Sequence, residues 1–238
     1  MTKIIGHRGA AGSALENSRE SLQAALAAGA DMIEIDTHLT ADDKLLVIHD
    51  PKTGRVAAED FTVRDKTLAE LQAIKLNNGE AFLSLDQALE VVGNIPIIIE
   101  LKDENSVDEL LLAIERHPQA LVSIASFHSE ELRQVRRVLP NIPVYALEYL
   151  APIDIVRTAH KMHATGIGLN FWLMNPLTYR LAKHYGLEVY VYVYSGNLGE
   201  QLMIRAARIL RLLYPDLYLC TRYPERFAKT KWRKRPAS

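Results

Sequence analysis

One cysteine, Cys220, stands alone in 238 residues. No disulfide framework can form, and a reducing cytoplasm is the expected setting. No apolar run is long enough to span a bilayer, and the opening MTKIIGHRGA enters a short strand without the apolar core of a signal peptide. The net charge is −1, so no excess of either sign points to nucleic acid. No internal repeat or linker divides the chain, and residues 1–228 read as one domain followed by a basic tail, 229–238. With 48% hydrophobic and 24% charged residues, the chain can bury a large core.

Short apolar runs alternate with segments of helical period. The strand candidates are Lys3–Gly6, Asp31–His38, Leu45–His49, Ile95–Leu101, Leu121–Ser126, Pro143–Leu147, Gly166–Leu169, Leu187–Val193 and Asp216–Leu219. Most are rich in Val, Ile and Leu without polar alternation, as strands covered on both faces are. Helix candidates lie between most of them, at Glu16–Ala28, Ser84–Val92, Val107–His117, Ser129–Val138, Ile153–His160, Pro176–Tyr185 and Leu198–Leu213. Such alternation means a parallel sheet with helical crossovers. Only a tight polar turn, Ala41-Asp42-Asp43-Lys44, separates the second and third strands. A parallel crossover needs a dozen residues or more, so these two form an antiparallel hairpin and eight parallel strands remain. The expected fold is a (β/α)8 TIM barrel with an added hairpin arm. The irregular stretch 51–79, with turn signals at Lys52-Thr53-Gly54 and Asn77-Asn78-Gly79 and a short helix within Thr67–Leu76, is expected to be an excursion over the mouth.

Sites in such barrels sit at the C-terminal ends of the strands. There the chain places His7-Arg8-Gly9, Glu34 and Asp36, His49-Asp50, Glu100-Leu101-Lys102 and Tyr194-Ser195-Gly196-Asn197. Glu34 and Asp36 share a face of one strand, two residues apart. Carboxylates that close repel unless a cation or proton lies between them. Glu100 adds a third carboxylate, and an all-oxygen set suits Mg²⁺ or Ca²⁺ rather than zinc. A turn centred near Asp42 returns residue 49 opposite 35–36, which places His49 beside Asp36, and His7 lies on the strand next to Glu34. Two histidines then flank one metal and can give and take protons, while Arg8 offers a fork of donors to a phosphate. A lone histidine at a strand end is more often structural, and Glu100 and Lys102 can simply pair with each other. The case rests on the coincidence of all these groups at one mouth. His38, His128 and His184 receive no role, His38 being read as a solvated hairpin residue.

His7-Arg8-Gly9, Glu16-Asn17-Ser18, the run Gly29 to Asp36, Leu39-Thr40-Ala41-Asp42, Val47-Ile48-His49-Asp50 and Ile99-Glu100-Leu101-Lys102 resemble the glycerophosphodiester phosphodiesterases. The likeness runs from Lys3 to about Phe227. It implies a (β/α)8 fold and metal-dependent hydrolysis of a small glycerophosphodiester to an alcohol and glycerol 3-phosphate. By position Glu34, Asp36 and Glu100 resemble the ligands of one divalent cation, Mg²⁺ or Ca²⁺. His7 and His49 resemble the catalytic acid–base pair, and Arg8, Lys102 and Tyr194 substrate contacts. The chain departs from the pattern at Leu15, at Asp42-Asp43, at Tyr194-Ser195-Gly196-Asn197 and at Thr221-Arg222-Tyr223-Pro224, where an Arg stands in place of an Asp.

Two chemical routes fit these groups. In one, a glycerol hydroxyl next to the ester attacks phosphorus and a cyclic phosphate is later opened by water. In the other, water attacks directly. Other functions are a lysophospholipase D-like enzyme at a membrane surface, a non-catalytic binder of phosphorylated head groups, and an unrelated barrel enzyme such as a sugar isomerase or aldolase. The aromatics Phe171, Trp172, Tyr190, Tyr192 and Tyr194 and the tail around Trp232 suit the lysolipid enzyme. Core packing explains the aromatics equally, and the tail reads either as a solvated terminus or as a weak contact with an acidic membrane.

Overall fold

Strands β1 (Ile4–His7), β2 (Met32–Leu39) and β3 (Leu45–Val47) open the chain, in a computed structural model that describes residues 2–148, 150–193 and 197–227. Strands β4 (Ile97–Leu101), β5 (Val122–Ser126), β6 (Val144–Glu148), β7 (Gly166–Asn170), β8 (Glu188–Tyr192) and β9 (Leu217–Thr221) follow. All except β3 run parallel, in the order β1-β9-β8-β7-β6-β5-β4-β2, and β1 pairs with β2 to close the ring. The fold is therefore the expected (β/α)8 barrel. Arm β3 pairs antiparallel with β2, Thr37 opposite Val47 and Leu39 opposite Leu45. That register carries residue 49 back to the level of residue 35. Ile48 extends the arm by donating its N–H to the Asp36 carbonyl at 3.1 Å.

The crossovers are α1 (Arg19–Ala27), α2 (Leu68–Ala73), α3 (Leu85–Val92), α4 (Val107–Arg116), α5 (Ser129–Val138), α6 (Pro152–Lys161), α7 (Pro176–His184) and α8 (Asn197–Leu213). Thr67 with Glu70 and Ser84 with Gln87 form capping boxes that start α2 and α3. Helix α1 begins at Arg19 rather than Glu16. Ser18 is its cap, accepting from Ser21 N, and Asn17 is held at φ +55, outside helical geometry. The two residues so released, Glu16 and Asn17, reach the barrel mouth instead.

Apolar side chains on the outer faces of the strands pack against the helices in one continuous core, which includes Ile33, Ile35, Ile97, Ile99, Val189 and Val191. A second cluster fills the barrel interior with Ile5, Met32, Ile98, Tyr145, Tyr190 and Tyr218 and forms the floor beneath the mouth. A third belongs to the excursion, where Val56, Val63, Leu71 and Phe82 close over Leu46 and Ile48 of the arm. Each such buried side chain contributes about 1.5–3 kcal/mol of transfer free energy, so arm and excursion fold as one unit on the rim.

Candidate active site

The period of two along a strand sets which residues look inward. On β1 these are Ile5 and His7, on β2 Met32, Glu34 and Asp36, and on β4 Ile98 and Glu100. The apolar member of each set joins the floor and the charged members stand above it. A cleft of about 390 Å³ opens there, lined by the polar groups of His7, Arg8, Glu34, His49, Glu100 and Lys102 and by Phe127, Leu147, Tyr190, Tyr192 and Cys220. Register explains the convergence. His7 pairs with Glu34 across β1 and β2, and Asp36 pairs with Glu100 across β2 and β4.

The chain turns sharply after His7. Arg8 and Gly9 both take left-handed conformations, φ +53 and +80, and a Cβ on Gly9 would lie 2.4 Å from Ser21 Oγ. Only glycine fits there. The turn aims the Arg8 backbone N–H at Glu34 Oε2, 2.9 Å away, and its guanidinium at Asp36 and Glu16, at 3.1 and 3.0 Å. Asp36 is fully buried and collects three partners: Arg8, Lys102 Nζ at 2.9 Å and Asn17 Nδ2 at 3.0 Å. Lys102 also bonds Glu100, so the sequence-level pairing of these two is present, but it is shared with Asp36.

Burial opposes the charge on Asp36, yet Lys102 and Arg8 drive its pKa well below the usual carboxylate range. Glu34 goes the other way, raised by burial and by the repulsion of Asp36 and Glu100. Glu100 is pushed up to about 7 by burial and Asp36, against the pull of Lys102. Burial and the neighbouring Arg8 hold the His7 pKa well below that of a free imidazole. His49 is lowered by burial, with Arg8 and Lys102 adding to that and Asp36 opposing it. Its Nδ1 is engaged by Asp50 at 2.6 Å, which leaves Nε2 available to the cleft.

These residues suit a hard divalent cation. Oxygens of Glu34, Asp36 and Glu100 lie within 4.8 Å of one another and all three side chains are buried. Burial, with their mutual repulsion adding to it, raises two of the three pKa values, and a doubly charged ion between them would offset both.

Three groups that the sequence left unassigned belong to this constellation. His38 is not solvated: it is buried, because the hairpin folds its ring between Asp103 and the arm. Its Nδ1 meets the Asp103 carboxylate at 2.9 Å and its Nε2 meets the His49 carbonyl at 3.1 Å. Glu16 accepts from Arg8 and from the excursion's Arg55, which also bonds Asp50. Asn17 holds Asp36. The motif Glu16-Asn17-Ser18 marked the last two in the sequence without assigning them a role. His128 is the N-cap residue of α5, one position beyond the cleft-lining Phe127 but not itself part of the lining, and His184 ends α7 where the chain turns back towards the start of β8. Tyr194 and the tail 229–238 lie outside the described residues.

Arg222 follows β9 directly. Gly6 pairs with Thr221, so Arg222 stands level with His7, and its charge is among the influences that lower the His7 pKa. Its backbone N–H is held by the buried carboxylate of Glu200 at 3.3 Å.

The glycerophosphoryl diester phosphodiesterase family profile matches residues 7–212. A glycerophosphodiester phosphodiesterase of Caldanaerobacter subterraneus is 26% identical over 220 residues, which cover 86% of this chain and 90% of that one. A lysophospholipase D of Rattus norvegicus is 31% identical over 241 residues, covering 81% and 77%. Among solved structures, an Oleispira antarctica phosphodiesterase in complex with the product sn-glycerol-3-phosphate superposes with a TM-score of 0.85 at 22% identity, covering 94% of each chain. That likeness is one of fold.

Proposed function

The chain belongs to the glycerophosphoryl diester phosphodiesterase family, and from that membership and the geometry of the mouth we propose that it hydrolyses glycerophosphodiesters to an alcohol and glycerol 3-phosphate. One observation carries the reading. Two histidines, two cationic side chains and the buried Glu34–Asp36–Glu100 cluster converge on one cleft. A phosphodiester is an anion with a poor alkoxide leaving group, and each of these parts answers one of those difficulties.

Arg8 and Lys102 are the phosphate contacts. Both are already fixed by Asp36, so they are presented without having to be ordered on binding. Glu34, Asp36 and Glu100 are the ligands of one divalent cation, Mg²⁺ or Ca²⁺. When bound, that ion supplies charge neutralisation at the phosphate. His7 and His49 are the acid–base pair. The glycerol hydroxyl next to the ester attacks phosphorus, one histidine, entering as neutral imidazole, takes its proton, and the other, entering as imidazolium, gives a proton to the departing alcohol. A cyclic phosphate and the free alcohol result. Water then opens the ring with the histidine roles exchanged, leaving both imidazoles in their starting states. A diester lacking that hydroxyl tests the route, since full turnover of it would require direct attack by water.

A second reading rests on the other side of the mouth. Leu150, Trp172, Leu177 and Leu198 are 83, 57, 62 and 70% exposed. All four follow the C-terminal ends of β6, β7 and β8, and Trp172 Nε1 lies against Gly199 at the start of α8. An apolar rim beside a phosphate site suits an amphipathic diester such as a lysophospholipid. Among the described residues no helix is long and apolar enough to cross a membrane.

The deciding experiment is release of the free head-group alcohol, choline or ethanolamine, from glycerophosphocholine, glycerophosphoethanolamine and lysophosphatidylcholine, in EDTA, Mg²⁺ and Ca²⁺. The reading requires metal-dependent turnover that is lost in His49→Ala. Turnover of the lysolipid alone would establish the second reading, and no turnover by folded protein would remove both.

A further inference from the structure

We propose that the floor of the mouth is a second, thiophilic metal site, in which Cys220, His7 and Glu34 take Zn²⁺ or Cd²⁺ and so silence the enzyme. The strand register builds it. Cys220 on β9 is level with Ile5 on β1, and His7 stands one inward position above Ile5, level with Glu34 on the other side. The sulfur, an imidazole nitrogen and a carboxylate oxygen of these residues lie within 4.8 Å of one another. Exposure is 1% for Cys220, 7% for His7 and 4% for Glu34. The cleft touches all three, so an ion has a way in.

A second observation points to a ligand. His7 Nδ1 is buried and has no hydrogen-bond partner among the described residues. The other nitrogen, Nε2, faces Glu34 Oε2 at 3.9 Å and no hydrogen bond to Nδ1 fixes the ring, so a cation held between the imidazole, Glu34 and Cys220 would anchor it.

The donor set separates this corner from the carboxylate cluster beside it. Glu34, Asp36 and Glu100 offer oxygen only, which suits hard ions. Sulfur, nitrogen and one oxygen suit zinc and its heavier relatives, with the fourth position open to the cleft. Ideal zinc bond lengths put such donors roughly 3.3–3.7 Å apart. The side-chain torsions of Glu34 and His7 must therefore close the site by about 1 Å. Coordination forms a sulfur–metal bond and releases the thiol proton to solvent, with no change of oxidation state. The ion would occupy His7 and draw on Glu34. Loss of turnover follows on the functional reading above, whereas binding itself does not depend on that reading.

The single cysteine makes the test clean. Cd²⁺ is titrated into the full chain in the presence of Mg²⁺ while the thiolate-to-cadmium charge-transfer absorption is followed; with one cysteine in the sequence, that band reports Cys220 alone. We expect saturation at one equivalent in the native protein, no band in Cys220→Ser, and at least tenfold weaker binding in His7→Ala, with folding of each checked by circular dichroism. Glycerophosphocholine hydrolysis should fall with the midpoint of the band, and Cys220→Ser should need at least ten times more Cd²⁺ or Zn²⁺ for half-inhibition. No band in folded native protein, or an unchanged midpoint in folded His7→Ala, would overturn the site. A native protein that shows the band yet hydrolyses no diester with any metal would overturn the functional reading and leave the site standing.

Discussion

The imidazole of His38 donates through Nε2 to the backbone carbonyl of His49, 3.1 Å away. Its other nitrogen faces Asp103 at 2.9 Å, and Asp103 also accepts the N–H of Leu39 at 2.6 Å. A buried side chain on the hairpin thus fixes the backbone of a proposed acid–base residue on the returning arm. His38→Ala should lower kcat by about tenfold through misplacement of His49, with little change in KM. It should also destabilise the fold by about 1 kcal/mol, since it removes a partner from the part-buried His49 carbonyl and from the Asp103 carboxylate, which water can still reach. His38→Gln, which can still donate to the carbonyl, should recover part of kcat. Steady-state kinetics with urea unfolding checks both, and equal loss in the two variants would reduce His38 to packing.

Asp36 and Glu34 should respond oppositely to neutralisation. Asp36 compensates Arg8 and Lys102, so Asp36→Asn leaves two buried cations short of a partner and should cost about 3 kcal/mol or more. Glu34 is the carboxylate that burial and its neighbours Asp36 and Glu100 most resist charging. Glu34→Gln should therefore raise the melting temperature of the metal-free protein, while abolishing the metal-induced rise in melting temperature and turnover. Thermal unfolding in EDTA and in Mg²⁺ separates the cases.

The pH dependence of the metal-free protein follows from Glu100. Its pKa is raised from 4.5 to about 7 in the fold, so between those values the native state holds a proton that the unfolded chain has lost. Stability from this group is fully present below about 4.5 and declines as pH rises through about 7. A divalent cation must displace that proton, so its binding should tighten over the same interval. Melting curves at pH 5 to 8 in EDTA should shift downward with pH, and the extra stability conferred by Mg²⁺ or Ca²⁺ should grow. A metal effect independent of pH would argue against Glu100 as a ligand.

How much of this was legible in the sequence depends on how far apart in the chain the interacting groups lie. Strands β1, β2 and β4 declare themselves through apolar runs with charges at their ends, and the short turn at Asp42-Asp43 forces the hairpin that returns His49. Those signals are local or nearly so. His38 owes its buried position to Asp103, 65 residues on, and a lone histidine carries no mark of a distant partner. Glu16 and Asn17 were absorbed into α1 because helical period does not stop sharply at a cap. Arg55 sits in the irregular excursion, where no periodicity says which side chain turns inward.

Arg55 yields the last prediction. Its guanidinium grips Glu16 with both terminal nitrogens, at 2.8 and 2.7 Å, and its Nε bonds Asp50. Glu16 in turn accepts from Arg8 at 3.0 Å, and Asp50 engages His49 at 2.6 Å. Burial alone would raise the Asp50 pKa, but Arg55 and His49 hold it at about 2, so the carboxylate stays charged across any working pH. One side chain of the excursion therefore braces both a proposed phosphate contact, Arg8, and a proposed acid–base residue, His49. Its own side chain is 46% exposed, and half-exposed ion pairs add little to stability. Arg55→Met should consequently leave the melting temperature nearly unchanged while lowering kcat by about tenfold. Arg55→Lys should not restore it, because a single ammonium cannot reproduce a fork that spans two carboxylates. Full kcat in Arg55→Lys would mean that charge alone is needed, and full kcat in Arg55→Met would mean that the excursion covers the mouth without organising it.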